Sequence, residues 1–345
     1  MSRLGLGIAA IGLALAGAAV AQGVPGLHPR LPYAATAPDE QLSLGGARVL
    51  APGDAEFAER LKKEKARVAA SQPYEVRPAI WKIADADTTI YLFGTVHSLP
   101  PGFRWRNPGL EGVIVRADTL LLESTDDDAT STTDFMGGLP TDASLPPLIE
   151  RVSHRSRARL AAMQGVLPAE LVAQMDKMPS WVAAMGIGYI KDLIAGDMPS
   201  QGADDWLEKQ FRATGRPVEA IEDSDQVMRN IGEVPEEAQR LMLESAILSP
   251  ARTHDELDAV AHAFARGEVG PDSPLVIQAN AFDPAGAIND PLLAERNSAW
   301  VDSLIARLKV RKGTTLFAAG AGHFVGAGSV IELLGKRGLK VERVQ

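Results

Sequence analysis

Thr88-Thr89-Ile90-Tyr91-Leu92-Phe93-Gly94-Thr95-Val96-His97 is the stretch that decides how this chain folds. Its first six residues are β-branched, aliphatic or aromatic, as in a buried strand, and Gly94 fits the bend at the strand's end. The pattern returns near the other end of the sequence, where Thr314-Thr315-Leu316-Phe317-Ala318-Ala319 runs into Gly320-Ala321-Gly322-His323. A histidine just past the carboxyl end of a strand stands where open α/β sheets place their ligands. Two of them, contributed from opposite ends of the chain, predict one site built from two halves.

Ala79 to Ala84 and Thr88 to Phe93 flank Asp85-Ala86-Asp87, which reads as a hairpin turn. Asn107-Pro108 is a good N-cap and first-turn pair for a helix to about Arg116. Thr119-Leu120-Leu121-Leu122 is a continuous apolar run of the kind found in strands covered on both faces. Strand, helix, strand in this order is a βαβ unit, so its strands should be parallel. His97 follows the first and Glu123 ends the second. Neighbouring parallel strands lie about 5 Å apart, and on that spacing His97 and Glu123 are expected to converge.

A large helical insert is expected over about 145–286, with helical patterns at Trp181 to Ile194, Asp204 to Thr214, Pro235 to Leu248 and His254 to Arg266. One short strand, Pro217 to Ile221, interrupts it and ends at Glu222. A long helix follows from Pro291 to Val310, then the second strand-Gly-x-x-His unit, a helix from about Gly328 to Lys336, a stop at Gly338 and a strand from Leu339 to Val344. The expected fold class is α/β, with a central mixed, largely parallel sheet built from both chain ends and flanked by helices.

The 345 residues are 46% hydrophobic and 23% charged, an ordinary globular composition. Met1 to Ala21 reads as a cleaved signal peptide: Arg3 is its positive start, Leu4 to Leu15 its apolar centre and Ala19-Val20-Ala21 its small-residue cleavage site. This places the mature chain in the periplasm or outside the cell, and no later stretch is apolar for long enough to span a bilayer. Residues 22–75 are read as an extended arm and a charged surface helix, and 76–345 as the folded domain. A net charge of −9 without a basic cluster argues against nucleic acid and anionic membrane surfaces. With no cysteine, disulfides, thiolate metal sites and cysteine nucleophiles are excluded.

His97 and His323 are the leading candidates for chemistry, since imidazole ligates divalent metals and moves protons near neutral pH. Glu123 ends an apolar strand, where a carboxylate must be paired, metal-bound or at the rim. Glu222 holds the matching position in the second half, although a helix N-terminus favours a carboxylate in any case. Asn297 lies on the apolar stripe of its helix with Leu293, Trp300, Leu304 and Leu308, so its amide needs a partner, and a helix-to-loop hydrogen bond would suffice. Arg296 beside it is suited to holding a carboxylate or an oxyanion. Asp204 and Asp205 read as helix-start residues and only weakly as site residues. The run Asp126-Asp127-Asp128 lacks the spacing of a calcium loop. His28, His154, His254 and His262 have no comparable context. The H-E-x-x-H zinc helix, the G-x-S-x-G nucleophile turn, the P-loop and G-x-G-x-x-G are all missing.

These elements, in this order, resemble the TraB/GumN family, related to the TIKI metalloproteases. The resemblance covers most of Trp81 to Val344. It rests on Tyr91 to His97, Ala117-Asp118-Thr119 leading to Glu123, Gly202-Ala203-Asp204 with Leu207, Ile221-Glu222 with Gln226, Glu295-Arg296-Asn297, and Gly320 to Gly326. Phe324 and Ile221 stand where the family pattern usually has leucine. The resemblance implies a fold shared with erythromycin-esterase-like and ChaN-like proteins. It also implies an active site of two Gly-x-x-His motifs and a glutamate, carried here by His97, His323 and Glu123, with manganese or cobalt favoured in the TIKI members.

The sequence is therefore read as a metal-dependent hydrolase, a metallopeptidase acting on peptide or amide bonds in the cell envelope. His97, Glu123 and His323 are expected to hold one divalent ion. Mn, Co and Zn all suit a nitrogen and oxygen shell without sulfur. Glu222 is expected to serve as general base or as a supporting residue, with Arg296 and Asn297 orienting substrate. Two alternatives stay open: a metal-free esterase-like hydrolase with a histidine base, and a non-catalytic protein binding haem or another small ligand on the same fold. The oligomeric state is not legible.

Overall fold

The computed structural model describes residues 55–125, 141–165, 167, 169–195, 198, 200–249, 253–280 and 293–345. The expected signal peptide, the arm as far as residue 54, the Asp126-Asp127-Asp128 run and residues 281–292 lie outside them. Among the described residues a six-stranded sheet forms the centre. Its strands are β1 (Ile80–Ala84), β2 (Thr88–Thr95), β4 (Thr119–Leu122), β6 (Val218–Ala220), β7 (Gly313–Gly320) and β8 (Glu342–Arg343). A separate two-stranded ribbon pairs β3 (Ser98–Leu99) with β5 (Ser200–Gln201).

The order across the large sheet is β6-β4-β7-β2-β1-β8. β2, β7, β4 and β6 are mutually parallel, and β1 runs antiparallel to both β2 and β8. The mixed, largely parallel sheet drawn from both chain ends is thus as expected. The expected hairpin also forms, closed by Asp85, whose Oδ1 accepts from the N–H groups of Asp87 (3.1 Å) and Thr88 (2.9 Å). The helix after it, Pro108–Arg116, is capped by Asn107, which accepts from Leu110 N–H at 2.9 Å.

One expectation is corrected. β2 and β4 are parallel but not neighbours, because β7 lies between them and pairs with both. The βαβ rule fixes the hand and direction of a crossover and leaves room for another strand in the gap. A strand from the far end of the chain fills that room, so the second Gly-x-x-His turn enters between His97 and Glu123.

Alternation along the strands divides the sheet into two buried faces. Phe93, Leu120, Leu122, Leu316 and Ala318 pack on one side with helices Pro108–Arg116, Ala203–Ala213, His254–Arg266 and Pro274–Asn280. Ile90, Leu92, Leu121, Phe317 and Ala319 pack on the other with Ala294–Val310 and Val330–Lys336. Most other helices between Leu148 and Leu248 share a third core, built on Leu148, Met163, Met178, Trp181, Leu243 and Ile247. The helical stretch therefore divides: Ala203–Ala213, His254–Arg266 and Pro274–Asn280 belong to a sheet layer, and the remainder forms a body of its own. The charged helix Ala55–Ser71 buries Val68 completely, and Arg67 ties it to Asp258 at 2.6 Å.

Close backbone approach sets the seam between β2 and the second turn. A Cβ on Gly94 would lie 2.9 Å from Ala321 Cα, a clash that only backbone movement relieves. Gly94→Ala is therefore expected to cost about 1–3 kcal/mol, seen in chemical denaturation as a lower midpoint with an unchanged slope. An unchanged midpoint would contradict this packing.

Candidate active site

The carboxyl edge of the parallel strands gathers the side chains that sequence reading singled out. β2 delivers His97, β7 continues into the 3₁₀ turn Ala321–Phe324 carrying His323, β4 runs out at Glu123 and β6 at Glu222. The β4–β6 ladder continues past its last strand residues through Ile221 N–H to Leu122 O (2.8 Å) and Glu222 N–H to Glu123 O (3.3 Å). Adjacent parallel strand ends thus present the two glutamates side by side. The alternation that puts Leu121 on the face of the Ala294–Val310 helix puts Glu123 there too, toward Arg296.

Gly320 is the centre of the arrangement. A Cβ placed on it would lie 3.1 Å from His97 Nε2, 3.2 Å from Glu123 Oε1 and 3.7 Å from His323 Cδ2. Its backbone, at φ −49° and ψ 133°, suits any residue. Glycine is therefore needed here for volume and not for conformation. The missing side chain leaves a cradle that the two imidazoles and the carboxylate border. The convergence of His97 and Glu123 holds, but across an interposed strand and by virtue of this glycine.

Each group is held by a named partner. Glu123 Oε1 accepts from Gly320 N–H (2.5 Å) and Oε2 from Arg296 (2.5 Å). Arg296 also grips Glu222, through Nε to Oε2 (2.9 Å) and a terminal nitrogen to Oε1 (2.5 Å), and Trp300 Nε1–H donates to the same Oε2 (2.8 Å). His97 Nδ1 lies 2.6 Å from Asp204 Oδ2, and His323 Nδ1 lies 2.6 Å from Asn297 Oδ1. Asn297 Nδ2 donates to Gly328 O (3.0 Å), and the Trp300 ring centre is 4.2 Å from that of His323.

Asn297 is 3% exposed, with both ends of its amide bonded within the protein. The structure thus gives it a place behind His323 and not the expected substrate-facing one. Arg296 faces two carboxylates, as its chemistry suggested, and both belong to the protein. Asp204 is the residue sequence reading undervalued. A carboxylate in the first turn of a helix is favoured by the helix itself, and that hid its second role. The available signal was its place in Gly202-Ala203-Asp204. A side chain on Gly202 would collide with the His97 carbonyl, and Ala203 N–H bonds Val96 O at 2.9 Å. The glycine brings the helix start against the His97 turn.

The charges are unbalanced. Among the described residues, Glu123 and Glu222 share one guanidinium, Arg296, while Asp204 pairs with His97. Burial works against the charged form of Glu123, yet Arg296, the imidazoles and Gly320 N–H pull its pKa down to about 2. Burial raises Glu222, and Arg296 only partly reverses that. Burial lowers His97, but the charge and hydrogen bond of Asp204, with Glu123 behind them, more than offset it, so His97 is raised. Burial is also the main cause of the fall in His323 to about 3, with Glu123 opposing and Arg296 and His97 adding to it. The edge therefore favours the protonated form of His97, through Asp204, and of Glu222, through burial.

The groups bordering the cradle suit a divalent ion: an imidazole nitrogen of His97, a carboxylate oxygen of Glu123 and the ring edge of His323. The donors border the cradle without closing on it. Among the described residues, no three His, Asp or Glu side chains are already drawn together tightly enough to hold an ion.

A doubly covered α/β sheet, with paired histidine turns and a glutamate at its carboxyl edge, defines the structural class. The chain belongs to the TraB/PrgY/gumN family, whose family model matches residues 79–343. Compared with curated proteins and with solved structures, it has no match.

Two outcomes follow from this geometry. Gly320→Ala should fold, since its backbone angles admit alanine, but should place a methyl group in the cradle and abolish ligand or metal binding there. Retained binding would contradict the cradle. The second concerns pH. Burial pushes His323 down from 6.5 to about 3, so across that range His323 itself binds more proton in the unfolded chain than in the folded one. The stabilisation is complete above about pH 6.5 and is lost as pH falls toward 3. The His323 contribution to the thermal stability of metal-free protein should fall as pH drops through that window, and His323→Gln should flatten the slope. An equal slope in both would contradict it.

Proposed function

We propose that this protein is a metal-dependent hydrolase of peptide or amide bonds, with His97, His323 and Glu123 as the ligands of one divalent ion. The observation that carries the reading is the side-chain-free cradle at Gly320, bordered by His97 Nε2, Glu123 Oε1 and the His323 ring. Manganese and cobalt are the favoured ions by family resemblance, and zinc suits the same donors. When bound, such an ion supplies a polarised carbonyl and a more acidic water.

The chain's own residues supply the rest. Gly320 N–H and Arg296 hold Glu123 ionised and aimed at the cradle. Asp204 and Trp300 restrain the His97 and His323 rings respectively. Glu222, gripped by Arg296 and Trp300, supports Arg296 and thereby Glu123; of the two roles expected for it, this is the one its contacts favour. The side chain of Asp204 is 23% exposed and that of His97 9%, so substrate approaches from the His97 side. The leader pattern in residues 1–21 supports a location in the periplasm or outside the cell. Among the described residues, no helix is long and apolar enough to cross a membrane.

The test is metal content of purified protein together with cleavage of a peptide library, with and without Mn²⁺ and a chelator. Stoichiometric metal and chelator-sensitive cleavage are expected. His97→Ala and His323→Ala should each lower metal affinity by more than the roughly 10- to 100-fold typical of outer partners. Unchanged metal binding in either variant would overturn the ligand set.

A second reading has one observation in its favour. The His97–Asp204 pair at 2.6 Å is also how a histidine general base is oriented for hydrolysis without metal. It predicts cleavage that survives the chelator.

A further inference from the structure

We propose that Asp204 and Asn297 are positioning residues that lock His97 and His323 in the tautomer with the proton on Nδ1, so that both imidazoles turn an Nε2 lone pair to the Gly320 cradle. The argument is one of donors and acceptors. An ionised carboxylate only accepts hydrogen bonds, so the 2.6 Å contact of Asp204 Oδ2 with His97 Nδ1 requires the proton on Nδ1. The Asn297 amide is fixed by its other end. Gly328 O can only accept, so the group facing it at 3.0 Å is Nδ2, and the group facing His323 Nδ1 is Oδ1, again an acceptor. Which ring nitrogen carries the proton is set by the hydrogen bond the other one makes. Free imidazole in water prefers the opposite tautomer, so this state has to be imposed.

The two clamps reach the site from opposite faces of the sheet. Asp204 opens Ala203–Ala213, whose Ala203, Leu207 and Phe211 are buried in one core. Asn297 sits on Ala294–Val310, whose Trp300, Val301 and Leu304 are buried in the other. Packing of either layer thus fixes one imidazole, and the sheet edge is where the two settings meet. One clamp is an acid and the other an amide, so they are alike in the tautomer they enforce and different in charge.

The inference deepens the ligand reading above, yet it can be tested without any metal. Long-range ¹⁵N–¹H correlation spectra of metal-free, ¹⁵N-labelled protein at about pH 9, above the ordinary imidazole range, report which nitrogen carries the proton. Both His97 and His323 are expected to show protonated Nδ1 and bare Nε2. Asp204→Ala and Asn297→Ala should each release only their own imidazole toward the Nε2–H form, and each should weaken Mn²⁺ binding about 10- to 100-fold. Asn297→Asp retains the acceptor, so it should keep His323 in the Nδ1–H form and decides the matter if Asn297→Ala does not fold. A protonated Nε2 on either imidazole of the unmutated protein would overturn the proposal. Both Nδ1–H tautomers in a protein that binds no Mn²⁺ would uphold the positioning and sink the metal reading, so the two failures are distinguishable.

Discussion

The site depends on one act of strand insertion. β7 slides between β2 and β4, pairs with both in parallel, and ends in a residue with no side chain. Each part of that matters. Parallel pairing puts the strand ends on one edge, so that His97, Glu123 and Glu222 arrive together. Insertion separates His97 from Glu123 by a full strand, and Gly320 then leaves the gap unfilled. Even a methyl group at Gly320 would crowd His97 and Glu123 and fill the cradle.

Electrostatics gives the arrangement its direction. Unpaired buried carboxylates are costly, and here Glu123 and Glu222 share one arginine while Asp204 leans on His97. Arg296 resolves part of the imbalance by bridging Glu123 and Glu222, which also fixes both carboxylates in place. The remainder is visible in opposite behaviour of the two imidazoles: His97, backed by a carboxylate, is raised, and His323, backed by an amide and covered by Trp300, is lowered. Two histidines in the same sequence context thus differ in chemistry because their partners differ.

Much of this was legible in the sequence. The Gly-x-x-His turns, the apolar strand ending at Glu123 and the short strand ending at Glu222 are local patterns, and local patterns carry strand ends well. The βαβ spacing gave the parallel direction. The position of β7 was not legible, since pairing between segments so distant in the chain leaves no trace in either segment's own periodicity. Asp204 was masked by a degenerate signal, because helix starts and site carboxylates look alike in sequence. Asn297 was recognised as needing a partner, but the partner, His323, came from a different layer of the fold. Similarly, Leu339 to Val344 has strand composition, yet the strand itself covers only Glu342–Arg343 at the sheet's edge, with Val344 and Gln345 bonding on to Ile80.

Anomalous X-ray scattering from crystals soaked in Mn²⁺ tests the central claim most directly. The account predicts a single strong peak in the cradle at Gly320, within bonding distance of His97 Nε2, His323 Nε2 and a Glu123 oxygen. A cradle without anomalous density under saturating Mn²⁺, or an ion bound at some other place on the molecule, would contradict it.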